Sequence, residues 1–523
     1  MKLVQTFWYS PDRPTGGWLH PAYNLMSWAL SCLQLRQFYD NVTLITDEAG
    51  KTLLIDELGL PYTDVQVVLD DVLAQYPKPL WVVSKLYAYA LQQEPFLHVD
   101  GDVFLYEPLP TDLLTAPLLA QNEEISDYYL PYLTEMDRAF SFVPPAIRWR
   151  QTTLHQPISA ANAGILGGND VAFLRVYAEA AFDFIEQNRA YFSTPQPQLN
   201  NFNILFEQYL FSSMAAYHNV PVRYVQSPNF QLERPCFEDA PRFQTYLHPI
   251  APEKKVYQTC QHVARRLQLD YPDYYRRIST LSNRRFVSPA QSPLYPLFAS
   301  SPAPSAPPIS WTLNGQRYLQ QLIPVLPDAS PLPDLPDVAA LQASDQATYI
   351  DEREHYRQHM AAQTNPPDAV TLDRRADACL RADLTDFDRQ RFVLSDDILV
   401  IDCQWNWALP IELVFLPDAF DEHVSHQARH LLEAEPKSVK ICIEPDWDTR
   451  MLVETPYEDI VDVATLEVFN EPHTVAEAFG QLRAFFGPDF PEYESKITKR
   501  FRRLVRQLVA RRCLVPVEHT ATP

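Results

Sequence analysis

The 523-residue chain carries a formal net charge of −23 and 47 prolines against only 11 glycines. Ordinary usage of about 7% would give roughly 37 glycines, and eight of the eleven precede residue 169. A Walker A loop and a dinucleotide fingerprint both need glycines at fixed spacing and neither is present, while the acid excess excludes a dedicated nucleic-acid binder.

The first 105 residues alternate between strand and helix signals. Leu3–Tyr9 is a β-rich run, and Pro21–Phe38 reads as a helix with proline in its first turn. Val42–Thr46 follows as a strand, Lys51–Leu58 as a short helix and Val65–Leu69 as a strand. Val82–Gln92 reads as a helix, Phe96–Val99 as a strand and Val103–Leu105 as a further short strand. Such alternation predicts a Rossmann-like, mostly parallel sheet with helices on both faces. Ligands on sheets of this kind bind beyond the carboxyl ends of the strands.

One strand ends in chemistry. Phe96–Val99 runs into Asp100-Gly101-Asp102, and a second apolar run follows. Two hard oxygen donors at a strand end suit Mg²⁺ or Mn²⁺ with positions open for substrate phosphates. A metal on a diphosphate would replace the glycine-rich loop that the chain lacks. Asp386/Asp388 and Asp446/Asp448 repeat the spacing outside the alternating region, where solvated turns are the ordinary explanation.

These segments resemble the GT-A glycosyltransferases, which move a sugar from a nucleotide-sugar through an Asp-x-Asp motif. The resemblance covers about the first 270 residues, and family 8-like and related bacterial sugar transferases share this order of segments. It rests on the first strand, Ser84-Lys85 on the helix before the motif, Asp100-Gly101-Asp102, and Asn162-Ala163-Gly164-Ile165-Leu166-Gly167-Gly168-Asn169. The resemblance implies metal ligation by Asp100, Asp102 and His248, the last in Tyr246-Leu247-His248-Pro249. Lys254 then follows as a charge near the phosphates, although the usual glycine between histidine and lysine is missing.

Other positions carry two readings. Asn162 either lies beside the sugar or caps a turn before a buried strand. Gly164, Gly167 and Gly168 admit a close ligand or form a bulge. Lys85 is a point charge for phosphate or sugar, or a helix-surface lysine. Gly16 and Gly17 let the backbone approach a nucleotide, with Trp18 stacking or packing. Asp47 meets ribose or base, or serves a turn. Glu207 and Gln208 face the acceptor on a helix resembling the family's acceptor helix, or lie on its surface; no catalytic base is identified.

Twelve prolines between Pro289 and Pro336 read as a semi-rigid linker over 286–336. It divides a transferase region, 1–285, from a C-terminal α+β region, 337–523. In the latter, Phe392–Cys403, Pro410–Phe415 and Val439–Ile443 read as strands. His423, His426 and His430 share a helix face, and His355 and His359 form a second pair without the glutamate of a zinc motif. Thr474-x-x-Glu477 is a capping box that opens a helix stopped by Gly487-Pro488. A last helix places Ile497, Phe501, Leu504 and Leu508 on one face among eight basic residues from Lys496 to Arg512. The portion from about 450 to 520 resembles a winged-helix, peptide-binding module; a structural or oligomerising tail and, last, DNA binding are the other readings.

Seven scattered cysteines without a C-x-x-C pair fit a reducing compartment. No apolar run reaches membrane-spanning length, and the first ten residues hold no signal-peptide core. The expectation is a cytoplasmic glycosyltransferase that uses a nucleotide-sugar, Mn²⁺ or Mg²⁺ and an acceptor (a glycan, peptide or small molecule), the C-terminal region engaging an acceptor peptide or protein. No nucleic acid and no membrane span are expected, and an oligomer is left open. A non-catalytic interaction protein and a metal-dependent nucleotidyl- or phosphotransferase are the alternatives.

Overall fold

The computed structural model describes the chain except for residues 12, 78, 154–157, 193–198, 227–236, 241–244, 286–335, 364–367, 409–410, 413–434, 447–450, 488–489 and 518–523. The proline-rich linker, the face carrying His423, His426 and His430, and most of the Pro410–Phe415 run therefore lie outside the described residues. The chain divides into two compact units, Met1–Lys254 and Lys255–Pro523.

The first unit is α/β with a mostly parallel sheet. Its strands are β1 (Lys2–Phe7), β2 (Val42–Thr46), β3 (Asp64–Val67), β4 (Phe96–Val99), β5 (Phe104–Leu105), β6 (Leu118–Ala120), β7 (Glu123–Ile125), β8 (Ser159–Ala161), β9 (Ile165–Gly168), β10 (Val222–Tyr224) and β11 (Tyr246–Leu247). Seven of them form one sheet in the order β10-β6-β9-β4-β1-β2-β3. Only β9 runs against its neighbours, pairing antiparallel with β4 and β6.

Period-two alternation buries both faces. Val4, Phe96 and Leu166 point into a core with Leu86, Tyr89 and Tyr177 from the helices Val82–Ala90 and Val171–Gln187. Leu3, Leu97 and Ile165 point the other way, against Leu35 of the helix Pro21–Phe38. Near-continuous apolar strands are what a sheet covered on both faces requires.

Two small pairings then bring distant segments to the end of β4. β5 pairs antiparallel with β11 in the register Leu105 to Tyr246 and Phe104 to Leu247. That register carries His248 alongside Asp102. The β7–β8 pair leads through Asn162-Ala163-Gly164 into β9, and the Asp100 amide donates to the Gly164 carbonyl at 2.8 Å.

The second unit holds the helices Tyr257–Asp270, Pro272–Arg285, Pro336–Ala362 and Ala369–Arg381, and the last of these opens its C-terminal two-sheet part. The single strand expected over Phe392–Cys403 is two, β12 (Arg391–Leu394) and β13 (Leu399–Cys403), in different sheets. Ser395-Asp396-Asp397 supplies the reason, because the Ile398 amide donates back to the Ser395 carbonyl and closes a turn. β13 pairs with β14 (Val439–Asp446) and β14 with β15 (Met451–Tyr457). The capping box at Thr474 and Glu477 is present. The short strands β16 (His473–Thr474) and β17 (Leu514–Pro516) both pair with β12, so the 450–520 segment completes its sheet with a strand from upstream. A winged-helix module within 450–520 stays a proposal.

Several arginines of the helix Phe490–Ala510 and its end are engaged within this unit. Arg500 pairs with Asp462, Arg502 with Asp388, and Arg511 with Glu444. Arg353 and Glu454, both buried, form a further pair at 2.5 Å. Among the described residues no helix is long and apolar enough to cross a membrane.

The start of helix Pro21–Phe38 generates a pH prediction. His20 caps it through Nδ1, which accepts from the Ala22 amide at 3.1 Å, and burial lowers its pKa from 6.5 to about 4. The unfolded chain therefore binds a proton between those values that the folded chain refuses, and stability falls as pH drops from about 6.5 to about 4. His20→Asn keeps a capping oxygen and is expected to flatten that slope by at most about 3 kcal/mol, read as the difference between urea titrations of variant and parent across this pH range.

Candidate functional site

The end of β4 is built on a hydrogen-bonded floor. Gln5 on β1 donates through Nε2 to Ser31 Oγ at 3.0 Å and to the Asp100 carbonyl at 3.3 Å. Ser27 Oγ donates to the Gly101 carbonyl at 2.9 Å. Gly101 is there for clearance: a β-carbon would stand 2.4 Å from the Trp28 indole. The turn thus lies flat on the helix Pro21–Phe38, which aims its two carboxylates outward.

The carboxylates find different partners. Asp100 Oδ1 lies 3.0 Å from Lys85 Nζ and 3.6 Å from His98 Nδ1. Asp102 Oδ1 lies 3.3 Å from His248 Nε2, and its other oxygen pairs with Lys254. His248 Nδ1 is 2.8 Å from Gln121 Oε1. Because that amide oxygen can only accept, Nδ1 carries a proton, and Nε2 is the nitrogen turned toward Asp102. One ligand atom each from Asp100, Asp102 and His248 fall within 4.8 Å of one another, the only such group among the described residues.

Behind them sits a buried ion-pair chain. Lys85 reaches Glu207 Oε1 at 2.9 Å and the Ala163 carbonyl at 3.3 Å, and the Tyr89 hydroxyl donates to Glu207 Oε1 at 2.7 Å. Burial alone would lower the Lys85 ammonium, but the Asp100 and Glu207 carboxylates outweigh it and hold it above its usual value. Burial pushes the Glu207 carboxyl up, with Lys85 opposing and Asp100 reinforcing. For Asp102 burial acts upward too, yet Lys254 and His248 hold it well below the usual carboxylate range.

A cleft of about 510 Å³ opens onto this turn. Gly16, Gly17, Lys85, Asp100, Asp102 and Lys254 line it among the residues singled out by sequence. Gly16 and Gly17 take positive φ, +54° and +94°, so the loop after β1 can fold back beside Trp18. Trp18 itself is 1% exposed and packs, with Lys254 Nζ 5.9 Å from its ring. His248 joins the site from beside the cleft rather than as one of its lining residues.

Other candidates stand elsewhere. Asp47 caps the short helix Glu48–Lys51 by accepting from the Gly50 amide at 2.7 Å, and it does not line the cleft. Asn162 accepts from the Gly164 amide at 2.9 Å and donates to Glu124 at 2.6 Å, which fixes the turn into β9. Glu207 is 1% exposed and engaged with Lys85, and Gln208 accepts from the Tyr129 hydroxyl at 2.7 Å. The glycines of β9 are explained by packing. A β-carbon on Gly167 would strike the Phe96 carbonyl, one on Gly168 the Pro117 carbonyl, and one on Gly164 both His248 and Gln121. Gln121 was invisible to sequence reasoning, since nothing local marks a glutamine after a short strand as the partner of a histidine 127 residues away. In the second unit Asp388 pairs with Arg502 and Asp446 accepts from the Tyr257 hydroxyl.

A model of a family described as a family of unknown function, DUF6734, matches residues 1–281. No curated protein matches the sequence. Among solved structures, the galactosyltransferase LgtC in complex with donor and acceptor sugar analogs is similar at 15% identity over 39% of this chain and 70% of that one, with a TM-score of 0.24. Mouse xyloside xylosyltransferase 1, apo form, is similar at 11% over 43% and 84%, with a TM-score of 0.26. The glycosyltransferase GlyE of Streptococcus pneumoniae TIGR4 is similar at 14% over 62% and 72%, also at 0.26. At such scores the likeness carries no functional weight, and the side chains of the cleft must carry it.

The ion-pair chain yields a stability prediction. Lys85→Met strands Asp100 and Glu207 in a buried site, and a loss of about 3–5 kcal/mol is expected at neutral pH. The deficit should narrow on acidification as Glu207 takes up a proton. Urea unfolding at two pH values measures both.

Proposed function

The chain belongs to that family of unknown function, and we propose that it is a glycosyltransferase moving a sugar from a nucleotide-diphosphate sugar to an acceptor with Mn²⁺ or Mg²⁺. The observation that carries this reading is the convergence of Asp100, Asp102 and His248 at the edge of a cleft lined by two ammonium groups. The donor set fits a divalent cation. Two carboxylate oxygens and one imidazole nitrogen are suitable ligands, and His248 Nε2 lies 3.3 Å from Asp102 Oδ1. Gln121 then serves as the outer partner that orients the histidine.

When bound, the cation neutralises charge on the departing diphosphate. Lys254, between Asp102 and Trp18, is placed to meet a phosphate oxygen. Lys85 is held charged and immobile by Asp100 and Glu207, so its field acts without reorganisation during reaction. The loop carrying Gly16, Gly17 and Trp18, with Trp8 and Tyr9 at the end of β1, offers the nucleoside an aromatic-walled wing of the cleft. The sheet's carboxyl-end geometry supports the same placement.

Two measurements test the reading. A thermal-shift screen of UDP, GDP, CDP and TDP with Mn²⁺ is expected to show stabilisation by at least one pair, lost in Asp100→Ala/Asp102→Ala; no shift with any of the four sinks the proposal. Gln121→Leu should weaken Mn²⁺ binding about 10–100-fold in calorimetry with an unchanged circular dichroism spectrum.

A further inference from the structure

Two of the largest exposed aromatics of the first unit line the same cleft as the carboxylates. Trp81 is 38% exposed and Tyr128 55% exposed, whereas Leu80, Val82 and Val83 around the first are fully or almost fully buried, and Tyr129 beside the second is 1% exposed. Soluble proteins keep such side chains outward singly at no cost in function, but paired in a ligand cleft they ask for an occupant.

Both are held in place. The Val82 amide donates to Asn203 Oδ1 at 3.1 Å and Asn203 Nδ2 donates to the Pro79 carbonyl at 2.9 Å, which pins the backbone on either side of Trp81. Ser84 Oγ donates to the Trp81 carbonyl at 2.8 Å. Lys85, one helical turn on, stands 5.8 Å from the indole centroid. Tyr128 is framed by Tyr132 at 5.6 Å and Tyr129 at 6.0 Å, and Tyr129 is tied to Glu124 and Gln208 through its hydroxyl. Rigid aromatic surfaces with few torsions to freeze bind at low entropic cost.

Resting on the transferase reading above, we propose that Trp81 and Tyr128 form the acceptor platform and that the acceptor presents a pyranose ring. A pyranose has an apolar C–H face that suits an indole or phenol ring and an equatorial rim of hydroxyls. Asn201, which also lines the cleft, supplies an amide for that rim. An extended peptide would instead seek an open strand edge or alternating pockets, and a nucleobase has its own aromatic wing after β1. The platform also lies in one cleft with Lys85, Asp100 and Asp102, so a ring docked there shares the space in which the donor reacts.

The test uses the full chain on a printed glycan array, with UDP, GDP, CDP or TDP and Mn²⁺ present. Retention of at least one pyranose glycan is expected, reduced tenfold or more in Trp81→Ala and Tyr128→Ala and restored in Trp81→Phe and Tyr128→Phe. Thermal shift by the nucleoside diphosphate with Mn²⁺ should be unchanged in all four. Undiminished retention in both alanine variants overturns the proposal, as does absence of glycan retention by the parent chain. A variant that keeps the glycan but binds a nucleotide-sugar more weakly than the parent, with equal affinity for the nucleoside diphosphate, puts the donor's ring on the platform and overturns the acceptor assignment. A parent chain with no nucleotide shift fails the transferase reading separately, while glycan retention still decides the platform.

Discussion

Three carboxylates and two ammonium groups share the space behind and within one cleft, and the first unit is organised around keeping that charge in balance. Asp100, Asp102 and Glu207 are paired with Lys85 and Lys254. They come from four stretches of chain: a strand end that supplies both Asp100 and Asp102, a helix interior, a helical turn a hundred residues later and the segment after β11. Buried charge is tolerated only when paired and hydrogen-bonded. The pairs therefore fix how these segments meet, and the hydrophobic layers on both faces of the sheet supply the energy that holds them there. The formal count leaves one negative charge in excess. A divalent cation would reverse the sign and make the cleft attractive to a diphosphate, which on the transferase reading links donor affinity to cation occupancy through electrostatics alone.

Sequence periodicity was a reliable guide where structure is local. The helix Pro21–Phe38 and the strands Val42–Thr46 and Phe96–Val99 have the limits that their apolar runs and proline punctuation imply. The Asp-Gly-Asp turn stood out because it ends a strand in an alternating region, which the two later Asp-x-Asp pairs do not. His248 and Lys254 came only from a likeness to a known pattern, since nothing within ten residues of them reveals that a two-residue pairing with β5 will carry them to Asp102. The turn splitting Phe392–Cys403 was overrun because apolar residues lie on both sides of only three polar ones.

What the sequence hid is consistently tertiary. Glu207 read in sequence as facing an acceptor or lying on a helix surface, and its burial makes it the counter-charge of Lys85. Trp81 and Tyr128 look like ordinary core aromatics in one dimension, and their exposure emerges only when their neighbours turn inward. The basic residues toward the end of the chain stand out in sequence, but Arg500, Arg502 and Arg511 spend their charge on Asp462, Asp388 and Glu444. Charge patterning shows which residues are ionised and leaves open which of them meet each other.

Glycine scarcity takes on a different meaning in three dimensions. A nest of backbone amides is the usual way to hold phosphate without side chains, and it needs several glycines in one loop. Here Gly164, Gly167 and Gly168 are used for packing, against His248, the Phe96 carbonyl and the Pro117 carbonyl, and Gly101 clears Trp28. Only Gly16 and Gly17 shape a loop at the cleft through positive φ. The glycines therefore let the backbone close tightly behind the carboxylates instead of cradling a ligand. On the proposed reading the work of meeting phosphate falls to side-chain charge, which is stronger per group than an amide dipole but costs more to bury. That cost explains why Lys85 is gripped by two carboxylates and a carbonyl: a site that replaces backbone amides with ammonium groups must spend much of its interior keeping them in place.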